Sequence, residues 1–259
     1  TQYVENPNSG FYFSNFRTKL VDCLDKDIYN LFQTGYDFTQ NLLKITDLNH
    51  EDAVVNLKRF LKEYSTDRYL FSLPVNFCKN FEYIDYSQIR CIDSKTRPII
   101  LPCVYETDKV YNIMLKKEDI RIESIIMNII KLIDYFLKKE ENLDLYITTY
   151  NILPISTKYG YIEFVPGSKT LYYIKEELKF SIQNWVIENN PNIDIHTIRE
   201  NICRSCAAYC IITYVLGIGD RHLENIMITN EGKLFHIDFG YILGKDPKMM
   251  SPEIRLTPE

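Results

Sequence analysis

Several things are missing from this chain. No run of apolar residues approaches the ~20 needed to cross a bilayer; the longest candidate, Cys206 to Ile218, is broken by Thr213 and two tyrosines and reads as a buried helix. There is no charged-then-apolar leader, because Thr1-Gln2-Tyr3-Val4-Glu5-Asn6-Pro7 is polar, and the lack of an initiator Met reads as a fragment of something longer. Disulfide-framework and zinc spacings are absent from the seven cysteines, which favours a reducing compartment. Cys203, Cys206 and Cys210 instead form one stripe at helical spacing, expected to be buried. Positive charge is scarce: a net charge of −5 argues against general attraction to nucleic acid or anionic lipid. Any phosphate must be met by local cations, and the sequence offers Lys95 with Arg97, Lys116 with Lys117, and Lys245 with Lys248 and Arg255.

What is present is an ordinary globular composition, 46% apolar over 259 residues, enough to bury a core in one or two domains. From Phe11 to Tyr64 apolar residues recur at helical spacing, including Phe38, Leu42, Val54, Leu57 and Leu61, and about three helices are expected; Asn49 with Asp52 marks a fresh helix start. Between Ser72 and Ile113 the pattern turns β-branched and aromatic, which predicts a small sheet with strands over Tyr86 to Ile92 and Ile99 to Tyr105. Ser94-Lys95-Thr96-Arg97-Pro98 interrupts it, a basic turn without the glycines of a Walker loop, readable as a cover for phosphates or as a plain exposed turn. Asp119 to Glu141 is the best helix, with a broad apolar face expected to lie largely buried against the sheet. Leu145 to Tyr150 and Tyr161 to Val165 read as strands, ending at the turn signal Pro166-Gly167. Lys179 to Asn189 and Ile195 to Leu216 read as helices, the second apolar almost all round and therefore central, with Gly217 and Gly219 ending it. Gly244 to Glu259 is rich in Pro and charge and reads as a mobile loop. The fold class is α+β.

The chemistry concentrates in Gly217-Ile218-Gly219-Asp220-Arg221-His222-Leu223-Glu224-Asn225 and Phe235-His236-Ile237-Asp238-Phe239-Gly240. Ile226 to Thr229 and Lys233 to Ile237 are β-prone runs around Asn230-Glu231-Gly232, where Asn and Gly are expected to supply positive φ, so a hairpin should fold both motifs toward one point. Asn225 and Asp238 would then flank the paired strands and offer hard oxygen ligands suited to magnesium, with nucleotide phosphates and water completing the shell. Asp220 precedes Asn225 by five residues, the spacing between the catalytic Asp and the metal-binding Asn of the protein-kinase catalytic loop, and Asp-Phe-Gly follows in order. Two groups qualify as the base: Asp220 by that analogy, and His222, because free imidazole titrates near pH ~6.5. His236, beside Asp238, reads either as stabilising charge on the transferred group or as structural. His50 and His196 have no motif around them and read as surface residues.

Gly-Asp-Arg-His-x-x-Asn, with the Arg-His order reversed relative to protein kinases, together with Phe-His-Ile-Asp-Phe-Gly, resembles the phosphoinositide 3-kinase and 4-kinase superfamily. Gly240-Tyr241-Ile242-Leu243-Gly244-Lys245-Asp246-Pro247-Lys248 is most similar to the class III phosphatidylinositol 3-kinases. The likeness covers roughly Phe11 to Glu259 and is densest from Ser205 to Lys248. It implies a bilobal protein-kinase-like fold: a helical segment over 1–70, an N-lobe over 71–165 and an incomplete C-lobe over 166–259. It also implies residue roles. Asp220 and His222 would take part in catalysis, with Arg221 holding their loop by ion pairing. Asn225 and Asp238 would bind Mg2+ or Mn2+. Tyr150 would lie deep in the ATP pocket, Glu163 and Val165 would meet adenine through their main chain, and Ser94, Lys95 and Arg97 would contact phosphates. The family's ATP lysine normally stands four residues before the helix's leading Asp, where this chain has Leu115; Lys116 is taken instead, assuming one deleted residue, with Lys117 as the alternative and Glu123 as its partner. Lys245, Lys248 and Arg255 would face the lipid, and so few cations, offset by Asp246 and Glu253, favour unphosphorylated phosphatidylinositol. The implied reaction is ATP-dependent formation of phosphatidylinositol 3-phosphate by a cytoplasmic enzyme, peripheral on endosomal or autophagic membranes, with a regulatory pseudokinase and coiled-coil subunits as partners. A phosphatidylinositol 4-kinase, a related protein kinase and a pseudokinase scaffold are the alternatives.

Overall fold

The computed structural model describes residues 18–19, 21–46, 50–64, 81–92, 96–105 and 109–247. They form two compact units, Thr1–Arg121 with Asn151–Phe164, and Ile122–Tyr150 with Val165–Glu259. The segment 122–150, read above with 71–165, is thus described with the second unit. The chain is a mixture of helices and antiparallel sheet, as the α+β expectation has it.

In the first unit, helices α1 (Lys26–Thr46) and α2 (His50–Tyr64) carry apolar residues on one face each. Phe38 and Leu42 of α1 meet Leu57 and Leu61 of α2 in a core shared with the sheet. That sheet contains β1 (Tyr83–Ile84), β2 (Arg90–Cys91), β3 (Ile99–Tyr105), β4 (Lys109–Lys116), β5 (Ile152–Pro154) and β6 (Gly160–Glu163), in the order β1-β3-β4-β6-β5 with β2 also on β3. Alternate residues Ile99, Leu101 and Cys103 of β3 and Tyr111, Ile113 and Leu115 of β4 point into the core shared with α1 and α2, while the intervening Ile100, Pro102 and Val104 of β3 are buried as well. Each such aliphatic side chain contributes roughly 1.5–3 kcal/mol on burial. The Tyr161 hydroxyl, 3.4 Å from Thr39 Oγ1, links β6 to α1.

Two strand expectations need correction here. Tyr86 to Ile92 is not one strand: Tyr86–Gln88 forms a 3-10 turn, and only Arg90–Cys91 pairs. Asp85 is the reason, since its Oδ1 accepts from the Ser87 N–H at 3.0 Å and from the Ser87 hydroxyl at 2.5 Å, winding the chain before it can extend. The strand expected over Leu145 to Tyr150 lies instead at Ile152–Pro154. Tyr146 adopts φ 54°, which breaks an extended run. The carbonyls of that segment also serve side chains, Asp144 O accepting from Arg204 Nη1 at 2.9 Å and Thr148 O from the Tyr209 hydroxyl at 2.6 Å.

The second unit contains α3 (Arg121–Glu140), α4 (Ile182–Asn189), α5 (Ile195–Val215) and a second sheet, β7 (Ser168–Thr170), β8 (Ile226–Thr229) and β9 (Leu234–His236), in the order β7-β8-β9. Strand β7 has no counterpart in the sequence reading; three residues are too few to show a period. Ser181 caps α4 by accepting from the Asn184 N–H at 3.2 Å, so that helix starts later than Lys179, which itself sits at φ 58°. Asp194 caps α5 in the same way through the His196 N–H. Leu171, Ile174, Trp185, Val186, Ile198 and Ile228 form the core between the helices and this sheet.

Both long helices are less buried than expected. On α3 only Glu123, Ile126, Met127 and Ile130 are buried, whereas Ile125 is 59% and Leu132 54% exposed. Its apolar face is wider than the strip that is covered. Helix α5 is covered along Ile198, Asn201, Ser205, Ala208, Tyr209 and Ile212, while Ile211, Tyr214 and Val215 are exposed. The cysteine stripe lies on that open side: Cys203 and Cys210 are exposed and Cys206 half-buried, so the expectation of burial fails. One helix side can face a single sheet, and the polar side of α5 is the one that finds hydrogen-bonding partners there.

Candidate active site

The hairpin forms as its sequence predicts, with Ile226 opposite His236, Met227 opposite Phe235 and Ile228 opposite Leu234. Its turn differs in one respect. Gly232 alone takes positive φ, at 85°, and Asn230 does not. The Gly232 N–H donates to Thr229 O at 2.9 Å, and Lys233 O accepts from Thr229 N at 3.0 Å, a three-residue loop with its left-handed position at the end.

Helix α5 fixes this hairpin through a polar stripe at i, i+4 and i+8 that the sequence reading missed. Asn201 Nδ2 donates to Glu231 O at 2.8 Å, Ser205 Oγ accepts from Leu234 N at 2.8 Å, and the Tyr209 ring lies 5.0 Å from the His236 ring, tilted 32°. The signal was available as three hydrogen-bonding side chains on one face of an otherwise apolar helix. Sequence alone does not say which strand they meet.

At the open end of the hairpin the two motifs converge. Ile237 N donates to Asn225 O at 3.1 Å, extending the ladder by one rung. Arg221 then gathers the ends: Nε donates to Gly219 O at 2.8 Å, Nη1 to Ile237 O at 2.7 Å and Asn225 O at 3.3 Å, and Nη2 to Asp238 O. These four hydrogen bonds run to main-chain oxygens, so Arg221 bridges the carbonyls of the two motifs, and the Asp238 and Asp220 charges add attraction. Burial draws its pKa down and those charges oppose the shift; a guanidinium stays charged throughout.

Asp220 and Asp238 both occupy the left-handed region, each at φ 57°. Non-glycine residues pay for that conformation, and a surrounding bond network is needed to hold it. Asp220 O accepts from Asn225 Nδ2 at 2.9 Å, and Asp220 N donates to Asp246 Oδ2 at 2.9 Å. The Asp238 carboxylate closes a small turn by accepting from Gly240 N at 3.3 Å. His222 stands between Asp220 and Glu224, with Nε2 3.8 Å from Asp220 Oδ2 and 3.3 Å from Asn225 Nδ2, while Nδ1 is 3.3 Å from the Glu224 amide nitrogen. A neutral imidazole has one acceptor nitrogen, so its tautomer decides whether the Asn225 amide or the Glu224 N–H donates to the ring.

Behind this group lie Tyr150, Glu123 and His236. Tyr150 is buried, edge-on to Phe235 at 6.2 Å between centroids. Its hydroxyl is held well above the usual tyrosine range, by burial first and then by the charges of Glu123 and Asp238 and by Tyr209. Glu123 is buried at the start of α3 and acts electrostatically on both Tyr150 and Arg221. His236 is buried, its pKa pushed down to about 3 by desolvation and then by Arg221. The contact of its ring with Tyr209 ties β9 to α5.

In the first unit Leu115 is a core residue, and Lys116 is on the opposite face of β4, buried and ion-paired with Glu118. Lys117 is only half-buried. Arg97 is exposed at φ 43°, its carbonyl 3.2 Å from Cys91 Sγ. The Glu163 N–H donates to Asn151 O at 2.8 Å, so that donor is already engaged within the sheet. In the second unit Val165 O accepts from the Ser168 hydroxyl at 2.7 Å. Lys245 is exposed. Ser94, Lys95, Lys248 and Arg255 lie outside the described residues.

The donors suit a hard divalent cation. Asn225 directs its amide nitrogen to Asp220 O, so Oδ1 is the atom it could offer a cation, and Asp238 could offer a carboxylate. Among the described residues no group of three or more His, Cys, Asp or Glu is placed to hold a metal ion. An amide oxygen and a carboxylate are the hard donors of magnesium sites that rely on nucleotide phosphates and water for the remaining positions. No helix among those residues is long and apolar enough to cross a membrane.

Comparison with known proteins agrees with this chemistry. Phosphatidylinositol 3-kinase pik3 of Schizosaccharomyces pombe is 38% identical over 207 residues, 76% of this chain and 26% of that protein. Phosphatidylinositol 3-kinase VPS34 of Saccharomyces cerevisiae is 36% identical over 182 residues, 64% of this chain and 19% of its own. The VPS34 protein of Arabidopsis thaliana is 40% identical over 154 residues, 57% of this chain and 18% of its own. The chain therefore spans about a quarter or less of the length of these relatives. The family description "Phosphatidylinositol 3- and 4-kinase" matches residues 110–259, more than half of the chain, and the chain belongs to that family.

Proposed function

We propose that this chain is catalytic sequence of a lipid kinase that transfers the γ-phosphoryl group of ATP to the 3-hydroxyl of phosphatidylinositol, giving phosphatidylinositol 3-phosphate and ADP. The observation that carries the reading is the Arg221 bridge, which draws the main chains of Asn225 and Asp238 to one guanidinium beside Asp220 and His222. The names of the relatives supply the ring position.

Asn225 Oδ1 and the Asp238 carboxylate would hold magnesium. When bound, the ion neutralises phosphate charge that would otherwise repel the attacking oxygen. The inositol oxygen bonds to the γ-phosphorus as the bond from that phosphorus to the β-bridging oxygen breaks, and ADP leaves with the electron pair. The hydroxyl proton passes to the Asp220–His222 pair, whose Oδ2 and Nε2 are 3.8 Å apart. By the class III resemblance Lys116, buried and ion-paired with Glu118, would be the lysine assigned to nucleotide phosphates. Arg221 keeps the loop in register, and buried, neutral His236 supports it from behind.

Lys245 is exposed at the start of the loop assigned to the lipid, with Lys248 and Arg255 further along. So few cations favour a headgroup without further phosphates. The work site would be an endosomal or autophagic membrane, reached peripherally, with regulatory pseudokinase and coiled-coil partners; these follow from the class III resemblance. Incubating the full-length protein with phosphatidylinositol vesicles, radiolabelled ATP and magnesium, then separating product isomers chromatographically, tests the proposal. The expected product is the 3-phosphate, absent in Asp238→Asn. A 4-phosphate product, or phosphate transfer to protein alone, would replace the reading, and failure to bind magnesium and ATP would point to a scaffold.

A further inference from the structure

The stretch after Gly240 does more than face a substrate. Its first residues run against the loop that carries Asp220: Gly219 N donates to Tyr241 O at 2.9 Å, Leu243 N to Leu216 O at 3.0 Å and Gly244 N to Gly217 O at 3.0 Å. The Asp220 N–H then donates to Asp246 Oδ2 at 2.9 Å. The approach is close enough that a Cβ on Gly217 would stand 2.6 Å from Gly244 N, and one on Gly219 would stand 2.8 Å from Asp246 Oδ2. Glycine at both positions is therefore a requirement of this zipper as well as a helix stop. Pro247 disfavours helical backbone at Asp246, the residue whose carboxylate meets the Asp220 amide just after the turn at Leu243 and Gly244.

We infer that Asp246 is a positioning residue for the phosphoryl-transfer site, holding Asp220 in its left-handed conformation through a charge-assisted hydrogen bond from the segment leading to the lipid loop. Three observations meet on it. Asp220 is strained at φ 57°. Its amide finds its acceptor in the Asp246 carboxylate, at 2.9 Å. The main-chain ladder beside it sets the distance between the two segments. The Asp246 carboxylate thus engages the loop that carries Asp220, a role beyond offsetting the charge of Lys245. Any shift of the lipid-facing segment is transmitted to the orientation of the Asp220 carboxylate by the same bond.

This inference rests on the kinase reading for its kinetic part and on main-chain geometry alone for the rest, and the experiment separates the two. Full-length wild type, Asp246→Ala and Asp246→Asn are compared by steady-state kinetics on phosphatidylinositol vesicles with magnesium and ATP, and by hydrogen exchange of peptides spanning 217–223. Asp246→Ala is expected to lose about 10²-fold in kcat, the scale of a small misplacement of a reacting group, with KM for ATP changed less than about twofold. The amide of Asp220 should exchange faster in that variant. Asp246→Asn keeps an acceptor oxygen and should restore both readouts most of the way. Wild-type kcat and wild-type exchange in Asp246→Ala would overturn the inference, as would an Asn variant as impaired as the Ala variant. If wild type itself makes no phosphoinositide, the kinase reading falls, and the exchange comparison still decides whether Asp246 anchors Asp220.

Discussion

Arg221 Nη1 donates to the Ile237 carbonyl at 2.7 Å, and this bond joins the loop carrying Asp220 to the strand end carrying Asp238. Replacing the planar fork with a flexible ammonium cannot satisfy the four carbonyls at once. Arg221→Lys is expected to cost about 3 kcal/mol, the worth of one or two hydrogen bonds from a charged donor, and to lower kcat at least tenfold. A thermal-shift measurement beside the kinase assay checks it; unchanged melting would mean the clamp is redundant.

Asn225→Ala should remove one ligand oxygen and the hold on Asp220 O together. Its activity should fall more steeply as magnesium is lowered than wild-type activity does, and chelation with EDTA should abolish turnover in both. Titrating activity against free magnesium reads the difference directly.

Tyr209→Phe keeps the ring against His236 and loses only the hydroxyl bond to Thr148 O. The expected cost is about 1 kcal/mol, whereas Tyr209→Ala should cost about 3–5 kcal/mol through the cavity it leaves. Denaturant midpoints of the two variants should separate accordingly, with equal losses contradicting the packing role.

Gly160→Ala tests the first unit. A Cβ there would stand 2.1 Å from Ile120 Cδ1 and 2.9 Å from Leu153 O, and the carbonyl belongs to a paired strand that cannot move aside. A loss of about 1–3 kcal/mol is expected, visible as a lower melting temperature.

Cys206 should resist alkylation at neutral pH. Burial first, and then Cys210 beside it, push its pKa up to about 11, so the reactive thiolate is the minor form below that value. Mass spectrometry of iodoacetamide-treated protein should show labelling of this residue rising about tenfold per pH unit between pH 8 and 10. A plateau below pH 9 would count against the shift.

The hairpin was legible because its signal is local. A strand, a turn ending in Gly232 and a second strand lie within reach of short-range sterics, and order along the chain already places Asn225 and Asp238 at the same end. Strand β7 and the Asn201, Ser205 and Tyr209 stripe were not legible, since each is defined by a partner far away in sequence. Tyr86 to Ile92 misled because Asp85 offers its side chain to Ser87, a competition that β-propensity does not count. The cysteine stripe misled for a related reason: periodicity shows that residues share a helix face without showing which face is covered.

The order and identity of the acid, amide and imidazole groups, and hence the family and the class of chemistry, follow from the sequence by itself, because they are properties of residue type and spacing. Only the tertiary structure decided that Arg221 bridges carbonyls, that His236 is buried and neutral, and that Asp246 turns inward to Asp220. Those outcomes depend on which groups meet after the chain has folded, where solvent is excluded and a hydrogen bond must be found among whatever neighbours the fold supplies.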